Sequence, residues 1–216
     1  MATWDELEAA LRRRVQGERL AHVYRVLDTA RSLAARHGVA PERIALAALM
    51  HDYARGMPGA DLLVLARQHG LLSDPAEEQA PGPLLHAPVG ALLLRQEGLI
   101  DDPLVLQAIA RHTTGEPEMT DLDKVLWLAD YVEPGRAFPG VEAMRRLAFS
   151  DLDRGLLAGL DQTIAYVLSQ GTYLHLATVR TRNWLLGRLL RSGSGQSGGN
   201  SASQNKEAPD GQDGIR

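Results

Sequence analysis

Apolar residues recur at intervals of three and four along most of this 216-residue chain. That spacing places them on one face of an α-helix, whereas a half-buried strand would alternate apolar and polar residues. No such alternation of β-branched residues is present, so the sequence predicts an all-α fold. The segments with helical spacing are 5–15, 19–38, 40–52, 59–70, 86–98, 101–113, 121–132, 151–171 and 177–190.

Several helix ends carry local signals. Gly38 is expected to end the second helix, and Pro41 lies in the first turn of the third. Asp102 is expected to cap a helix that has Pro103 at its first position. The stretches 72–86 and 133–140 are predicted to be irregular connections, where functional residues often lie.

Length and composition limit the class of protein. With 44% hydrophobic residues the chain can bury one core, and residues 1–191 are predicted to form a single domain. The Gly/Ser-rich stretch 192–216 is predicted to be disordered, because it is too polar to offset the entropy cost of ordering. A net charge of −4 argues against a nucleic-acid partner. No apolar stretch is long enough for a membrane span, so a cytoplasmic protein is expected.

Histidines occur on the apolar faces of the predicted helices. His37 and His69 each precede a glycine at a helix end, where a structural role near the last carbonyls is expected. A single buried histidine is usually a hydrogen-bonded core residue, but several buried imidazoles and carboxylates together need a neutralising charge. The polar residues that lie among aliphatic ones in this way are His22, His51, His86, His112, Asp52 and Asp130.

A divalent cation would supply that charge. The chain has no cysteine, so a metal site would rest on imidazole and carboxylate ligands, which suit Zn²⁺, Fe²⁺ or Mn²⁺. Adjacent residues of a helix, such as His51 and Asp52, point about 100° apart. Other helices must therefore complete the coordination shell, and His22 and Asp130 are the candidates.

The order of these residues, His22, then His51–Asp52, then Asp130, resembles the signature of the HD-domain metal-dependent phosphohydrolases. The flanking stretches are similar to the YqeK family of HD-domain proteins over about residues 15–187. This resemblance implies a single HD-domain helical bundle with a metal site between helices. The stretches that carry it are RLAHVYRV, AALMHDYARGMP, LLHAPVGA, AIARHTTGEPEMTDLDKVLWLADYVEPGRAFPGV and RTRNWLL.

The resemblance also implies an activity, the symmetrical hydrolysis of diadenosine tetraphosphate (Ap4A) to two ADP. It implies a divalent metal, in that family iron, with manganese or another divalent ion as alternatives. The implied metal ligands are His22, His51, Asp52 and Asp130. The implied nucleotide contacts are Arg19, Asp52, Arg55, His86, His112, Thr113, Arg136 and the segment 172–177, including Thr172, Tyr173, Leu174 and His175.

Elementary chemistry suggests roles for some of these side chains. Asp52 is the candidate to orient or deprotonate an attacking water. Arg19 and Arg55 each share a helix face or turn with a proposed metal ligand. Arg136 lies in an irregular loop, which suits a guanidinium that grips a polyphosphate.

Alternatives stay open at this point. His86 and His112 either protonate the leaving ADP oxygen or bind a second metal, and substrate contact is the favoured interpretation. Two alternatives to Ap4A hydrolysis are also open. The chain could be an HD-domain phosphohydrolase that acts on another nucleotide, or a non-catalytic nucleotide-sensing module. The expected partner is a small-molecule dinucleoside polyphosphate, and a homodimer is left open.

Overall fold

The computed structural model describes residues 2–194. Over these residues the chain is built of α-helices with no strand, which confirms the predicted all-α class. The helices are α1 (Trp4–Arg14), α2 (Gly17–His37), α3 (Pro41–Met50), α4 (Gly59–Gln68), α5 (Ala76–Gln79), α6 (Pro81–Gln96), α7 (Pro103–Arg111), α8 (Asp121–Val132), α9 (Val141–Ser150), α10 (Leu152–Ser169) and α11 (Leu176–Ser194).

The central helices are those that carry the candidate histidines. Helix α2 packs against α3 and α8, and α7 packs against α3, α6 and α8. One continuous core of mainly aliphatic side chains fills the space between them, and a smaller apolar cluster joins α4 to α6. Helix α10 lies against α8, α9 and α11. The apolar faces found in the sequence therefore converge on one core, and this brings the polar residues of those faces together.

The predicted helix-end signals are confirmed. Gly38 adopts the left-handed conformation with φ of 71° and ends α2, and Pro41 occupies the first turn of α3. The Asp102 side chain accepts a hydrogen bond from the Leu104 amide, with Pro103 at the first helical position. Each of these residues satisfies or removes a backbone group that would otherwise lack a partner at a helix end.

Two parts of the helix prediction were wrong. The stretch 72–86 is not irregular throughout, because α5 occupies 76–79 and α6 begins at Pro81. Proline is compatible with the first turn of a helix, where no amide hydrogen is needed for an intrahelical bond. Helix α9 was not predicted at all, and it buries only Val141, Met144 and Ala148, which is a narrow apolar face.

Helix α11 extends to Ser194, into the first residues of the stretch 192–216 that was predicted to be disordered. Residues 195–216 of that predicted tail lie outside the described residues. No helix within residues 2–194 combines the length and the apolar character needed to cross a bilayer.

Candidate metal centre and nucleotide site

Two of the candidate histidines stand at helix C-termini. His51 and His112 are the C-cap residues of α3 and α7, and Asp52 lies in the turn after α3, so the prediction that these residues lie within helices was wrong. The last carbonyls of a helix lack intrahelical partners. Here Nδ1–H of His51 donates to the Ala48 carbonyl at 2.8 Å, and Nδ1–H of His112 donates to the Ile109 carbonyl at 2.7 Å. We assign the tautomers on these bonds, which leave a lone pair on each Nε2.

His22, in α2, is oriented in the same way by a side chain. Its Nδ1 lies 3.2 Å from Oε1 of the buried Glu133. The other carboxylate oxygen of Glu133 accepts hydrogen bonds from Arg25 Nε at 2.7 Å and from the Gly135 amide at 2.5 Å. Burial raises the pKa of Glu133, but Arg25, the Gly135 amide and His22 outweigh it and lower that pKa, so the carboxylate is ionised. Nδ1–H of His22 therefore donates to Glu133 and leaves Nε2 toward the interior.

The Nε2 atoms meet two carboxylates. Nε2 of His22 lies 3.1 Å from Asp130 Oδ1 and 3.9 Å from Asp52 Oδ2, and Nε2 of His51 lies 3.6 Å from Asp52 Oδ2. Two ligand atoms that each lie about 2.1 Å from one metal are about 3.0 to 3.4 Å apart in octahedral or tetrahedral geometry. Ligand atoms of His22, His51 and Asp130 lie within 4.8 Å of one another, and Asp52 forms a second group of this kind with His51 and His112.

Two of these atoms lack any other partner. Nε2 of His51 is buried and makes no hydrogen bond with a described residue, and buried Nε2 of His22 has only Asp130 Oδ1 beside it, at 3.1 Å. A buried polar atom without a partner costs about 1–3 kcal/mol. A divalent cation between them would satisfy both lone pairs, and neutral imidazoles with carboxylates suit Fe²⁺, Mn²⁺ or Zn²⁺. The residues thus fit the metal that their chemistry predicts.

The two aspartates are held in the ionised form. Burial raises the pKa of Asp130, but His22, His51 and Arg136 outweigh it and hold that pKa well below its usual range. Burial also raises the pKa of Asp52, and the histidines beside it reverse the direction and lower it. Both groups are therefore anionic at neutral pH, and the centre attracts a cation.

His86 differs from the other histidines of the cluster. Its Nε2 lies 3.2 Å from His112 Nε2 and 3.4 Å from Asp52 Oδ1, and its Nδ1 lies 3.2 Å from Arg55 Nη1. Nδ1 of His86 faces one acceptor, the Gly82 carbonyl at 3.1 Å, which already accepts from Arg55. Two acceptors, His112 Nε2 and Asp52 Oδ1, face Nε2, so we assign the proton of His86 to Nε2. Burial, with His112 and Arg55 nearby, lowers the pKa of His86 to about 3. His86 is therefore a neutral imidazole that offers an N–H to the centre.

Guanidinium groups lie at the solvent side of the cluster. Arg19 Nη1 is 3.2 Å from Asp52 Oδ2, and Arg136 Nη2 is 2.5 Å from Asp130 Oδ1. Their side chains are 42% and 39% exposed, so both are accessible to an anionic ligand. Arg55 lies deeper, where its Nη1 donates to the Gly82 carbonyl at 3.1 Å.

The loop that carries Arg136 is fixed by α9. Arg145 of this helix donates hydrogen bonds to the carbonyls of Val132, Glu133 and Arg136 at 2.8, 2.8 and 2.9 Å. Because α9 was not predicted, the role of Arg145 was not predicted either.

The predicted nucleotide contacts in segment 172–175 differ from Thr113 in their contacts with the histidine cluster. Thr113 joins the cluster, with its hydroxyl 3.4 Å from Nε2 of both His86 and His112. Thr172 and His175 make no hydrogen bond to the histidine cluster within the described residues. The Thr172 hydroxyl donates to the Val167 carbonyl, and the ring of His175 is buried against Glu77.

Glu133 is the residue at the centre that sequence reasoning missed. It follows α8, and its partner His22 lies 111 residues away in the chain. The one sequence signal for Glu133 is its position. It comes three residues after Asp130, a spacing that places two residues on the same side of a helix.

Comparison with known proteins identifies the family. The HD domain family matches residues 19–135. The symmetrical bis(5'-nucleosyl)-tetraphosphatase of Bacillus subtilis (strain 168) is 37% identical over 184 residues, which cover 84% of this chain and 97% of the relative. This chain belongs to the YqeK family of HD-domain proteins. A second relative of the same name, from Halalkalibacterium halodurans, is 40% identical over 168 residues, which cover 78% of this chain and 89% of that protein.

The YqeK-family fold is also that of a solved structure. The crystal structure of a predicted HD superfamily hydrolase involved in NAD metabolism, from Clostridium acetobutylicum, matches with a TM-score of 0.83 at 36% identity. The match covers 87% of this chain and 99% of the other. The helix arrangement described above is therefore shared with that HD superfamily protein over nearly its full length.

The contact between Glu133 and His22 predicts an effect on metal affinity. Glu133→Gln keeps the size of the side chain but cannot accept hydrogen bonds from His22, Arg25 and the Gly135 amide together. Affinity for Fe²⁺, measured without oxygen by competition with a chromogenic chelator, is expected to fall about 10- to 100-fold. The control is Glu18→Gln, which removes an 82% exposed partner of the same Arg25 and should leave the affinity unchanged. Equal affinity in Glu133→Gln and the native protein would contradict the assigned role.

Proposed function

We propose that this chain hydrolyses Ap4A symmetrically to two ADP, with a divalent metal held by His22, His51, Asp52 and Asp130. The observation that carries the proposal is the pair of buried Nε2 atoms, of His22 and His51, that face two ionised aspartates. Exposed arginines at the edge of the same cluster match a substrate with a chain of phosphates. Two relatives that align with this chain over most of their own length are named for that activity.

The metal that we propose is iron. A bound divalent ion supplies two things to phosphoanhydride hydrolysis, a lower pKa for bound water and polarisation of a phosphoryl oxygen. The imidazole and carboxylate donor set also suits Mn²⁺ and Zn²⁺, so the choice of iron rests on the family resemblance.

Asp52 is proposed to orient the attacking water and to accept its proton. Its two oxygens face different groups, because Oδ2 points to His22 and His51 and Oδ1 points to His86. One carboxylate oxygen of Asp52 can therefore bind the metal while the other accepts a hydrogen bond from the reacting water. Its lowered pKa keeps it free to accept a proton at neutral pH.

Arg19 and Arg136 are proposed to bind the polyphosphate. In the described structure each pairs with an aspartate of the centre, yet each is about two-fifths exposed. Phosphate oxygens that approach from solvent would share these guanidinium groups with Asp52 and Asp130. Bidentate geometry makes arginine well suited to that exchange.

His86 is proposed to donate a hydrogen bond to substrate rather than to bind a second metal. Symmetrical cleavage breaks the central P–O–P link, so the leaving group is the terminal phosphate of one ADP. That phosphate leaves as a stable anion, and a neutral N–H beside it stabilises the developing charge without a full proton transfer. The proton on Nε2 of His86 points into the centre and meets this need.

A cytoplasmic location stays a prediction, and so does the disorder of residues 195–216. The oligomeric state stays open, with a homodimer among the alternatives.

The substrate is tested with a nucleotide panel. Purified protein is incubated with Ap4A, another dinucleoside polyphosphate and the adenosine mono-, di- and triphosphates, and products are separated by ion-exchange chromatography. Ap4A should yield only ADP, and in ¹⁸O-labelled water one ADP of each pair should carry the label on its terminal phosphate, because water attacks phosphorus. Faster loss of phosphate from a mononucleotide would favour another nucleotide as substrate. Binding of Ap4A without turnover by metal-loaded protein would favour a sensing module.

Asp52 and the metal are tested together. Protein purified without added metal is expected to contain iron by elemental analysis. Asp52→Ala should lose turnover of Ap4A and much of its metal, because it removes both a ligand and the proton acceptor. The matched control is Asp61→Ala, which changes an exposed aspartate of α4 and should keep both properties. Full activity of Asp52→Ala would rule out the proposed centre.

The role of His86 is tested by separating rate from metal content. His86→Ala should lower kcat about 100-fold, as expected for removal of one hydrogen-bond donor to transition-state charge. Its metal content per chain should equal that of the native protein, and His86→Gln, which keeps an N–H donor, should recover part of the rate. Loss of one of two metal equivalents in His86→Ala would instead assign this side chain to a second metal.

A further inference from the structure

A second buried polar cluster lies outside the metal centre. Asp74, Glu77 and His175 are each less than 9% exposed, although the segments around them are short loops and the four-residue helix α5. Buried charged groups in such segments need specific partners, because an unpaired buried charge is costly. In this cluster the partners join residues about 100 positions apart, since His175 bonds Glu77 and the Leu176 amide bonds Asp74.

Glu77 is an acceptor on both oxygens. Its Oε2 accepts from the amides of Ser73 and Asp74 at 2.7 and 3.1 Å, and its Oε1 accepts from the Ser73 hydroxyl at 3.0 Å. His175 Nε2 lies 3.1 Å from the same Oε1. The Ala177 amide donates to Nδ1 of His175 at 3.1 Å, so the ring proton is on Nε2 and donates to Glu77. Both ring nitrogens of His175 are thus used within the protein.

Asp74 completes the attachment. Its Oδ2 accepts a hydrogen bond from the Leu176 amide at 2.9 Å, and its Oδ1 accepts one from the Ala76 amide at 2.8 Å. Leu176 is the first residue of α11, whose first amides have no intrahelical acceptor. Two of those amides are therefore satisfied by Asp74 and His175, and the loop before α11 is fixed to the segment 73–77.

The first turn of α11 continues toward the metal centre. The Thr178 hydroxyl donates to the Thr114 carbonyl at 3.0 Å. A Cβ on Gly115 would lie 3.1 Å from the side chain of Thr181, so the two segments are in close contact. Thr113, next in the chain to Thr114, has its hydroxyl 3.4 Å from Nε2 of both His86 and His112. An unbroken series of contacts thus joins Glu77 to the rim of the candidate nucleotide site.

We propose that Glu77 and Asp74 are positioning residues that hold the loop 172–175 and the first turn of α11 beside the metal centre, where they contact a nucleoside end of the substrate. This inference rests on the proposed function. His175 acts in it as the anchor of the loop rather than as a nucleotide contact, because both its ring nitrogens are occupied. The contact surface is left to the exposed part of the loop, which includes the 60% exposed Tyr173.

The test compares two neighbouring glutamates. Glu77→Gln loses a charged acceptor of four hydrogen bonds, whereas Glu78→Gln alters a 45% exposed side chain that pairs with Arg67 at the surface. The KM of Glu77→Gln for Ap4A and its dissociation constant for ADP should rise about tenfold, the scale of a lost hydrogen bond to a charged group. Its kcat should stay within about twofold, because no metal ligand is touched. Metal content should match the native protein, and Glu78→Gln should match it throughout.

A measurement without turnover checks the attachment itself. Hydrogen–deuterium exchange at the amides of Leu176 and Ala177 should be faster in Glu77→Gln than in Glu78→Gln. Thr178→Val removes one hydroxyl at nearly constant volume, and it should raise KM in the same direction even if Glu77→Gln does not fold.

The outcomes are distinct from those of the proposed function. If the native protein binds ADP but does not hydrolyse Ap4A, the proposed function fails and the ADP affinities still decide this inference. Unchanged KM and ADP affinity in both Glu77→Gln and Thr178→Val would overturn it, as would a fall in kcat and metal content without a change in affinity. Native protein that neither binds ADP nor hydrolyses Ap4A would overturn both.

Discussion

The central constraint on this protein is the placement of two ionised carboxylates, the buried Asp52 and the partly buried Asp130, at one point. Asp52 and Asp130 disfavour each other's charge, and burial disfavours both, yet the pKa of each is lowered. The fold achieves this with imidazoles from several elements and with guanidinium groups at the rim, which requires α2, α3, α7 and α8 to meet around one core. Beside these carboxylates, the buried Nε2 of His51 has no hydrogen-bond partner among the described residues, and a divalent cation would supply one.

The imidazoles are oriented by two kinds of hydrogen-bond acceptor, backbone carbonyls and a carboxylate. Carbonyls at the C-termini of α3 and α7 receive the Nδ1–H of His51 and His112, and the Glu133 carboxylate receives that of His22. A helix C-terminus carries partial negative charge and free carbonyls, so a histidine at the C-cap is oriented without a dedicated side chain. In α2 the histidine lies near the start of the helix, where no free carbonyl is available, and Glu133 supplies the acceptor.

Sequence reasoning could predict the members of the centre but not how they are held. His22, His86 and Asp130 share helix faces with aliphatic residues, and this pattern indicated that they meet in the core. The exact ends of α3 and α7 were missed. The helical spacing of apolar residues continues through His51 and His112, whereas the backbone hydrogen bonds of the two helices do not. The contacts of Glu133, Arg145 and Glu77 could not be inferred from local pattern, since each side chain acts on a segment that only the tertiary fold brings near. The bonds of His175 to Glu77 and to the Ala177 amide could not be inferred from the sequence either.

The metal centre and the proposed substrate contacts are built from different parts of the chain. The proposed metal ligands belong to packed helices and to the turn that follows α3, whereas the proposed phosphate and nucleoside contacts include residues in loops at 113–115, 133–136 and 172–175. Each of those loops is attached through a residue outside the centre, to α11 through Thr178, to α9 through Arg145 and to α5 through Glu77. Changes in these attachments can alter which nucleotide fits without disturbing the ligands of the metal. In the proposed function the HD residues supply the chemistry, and we expect the choice of nucleotide to depend on how these loops are held.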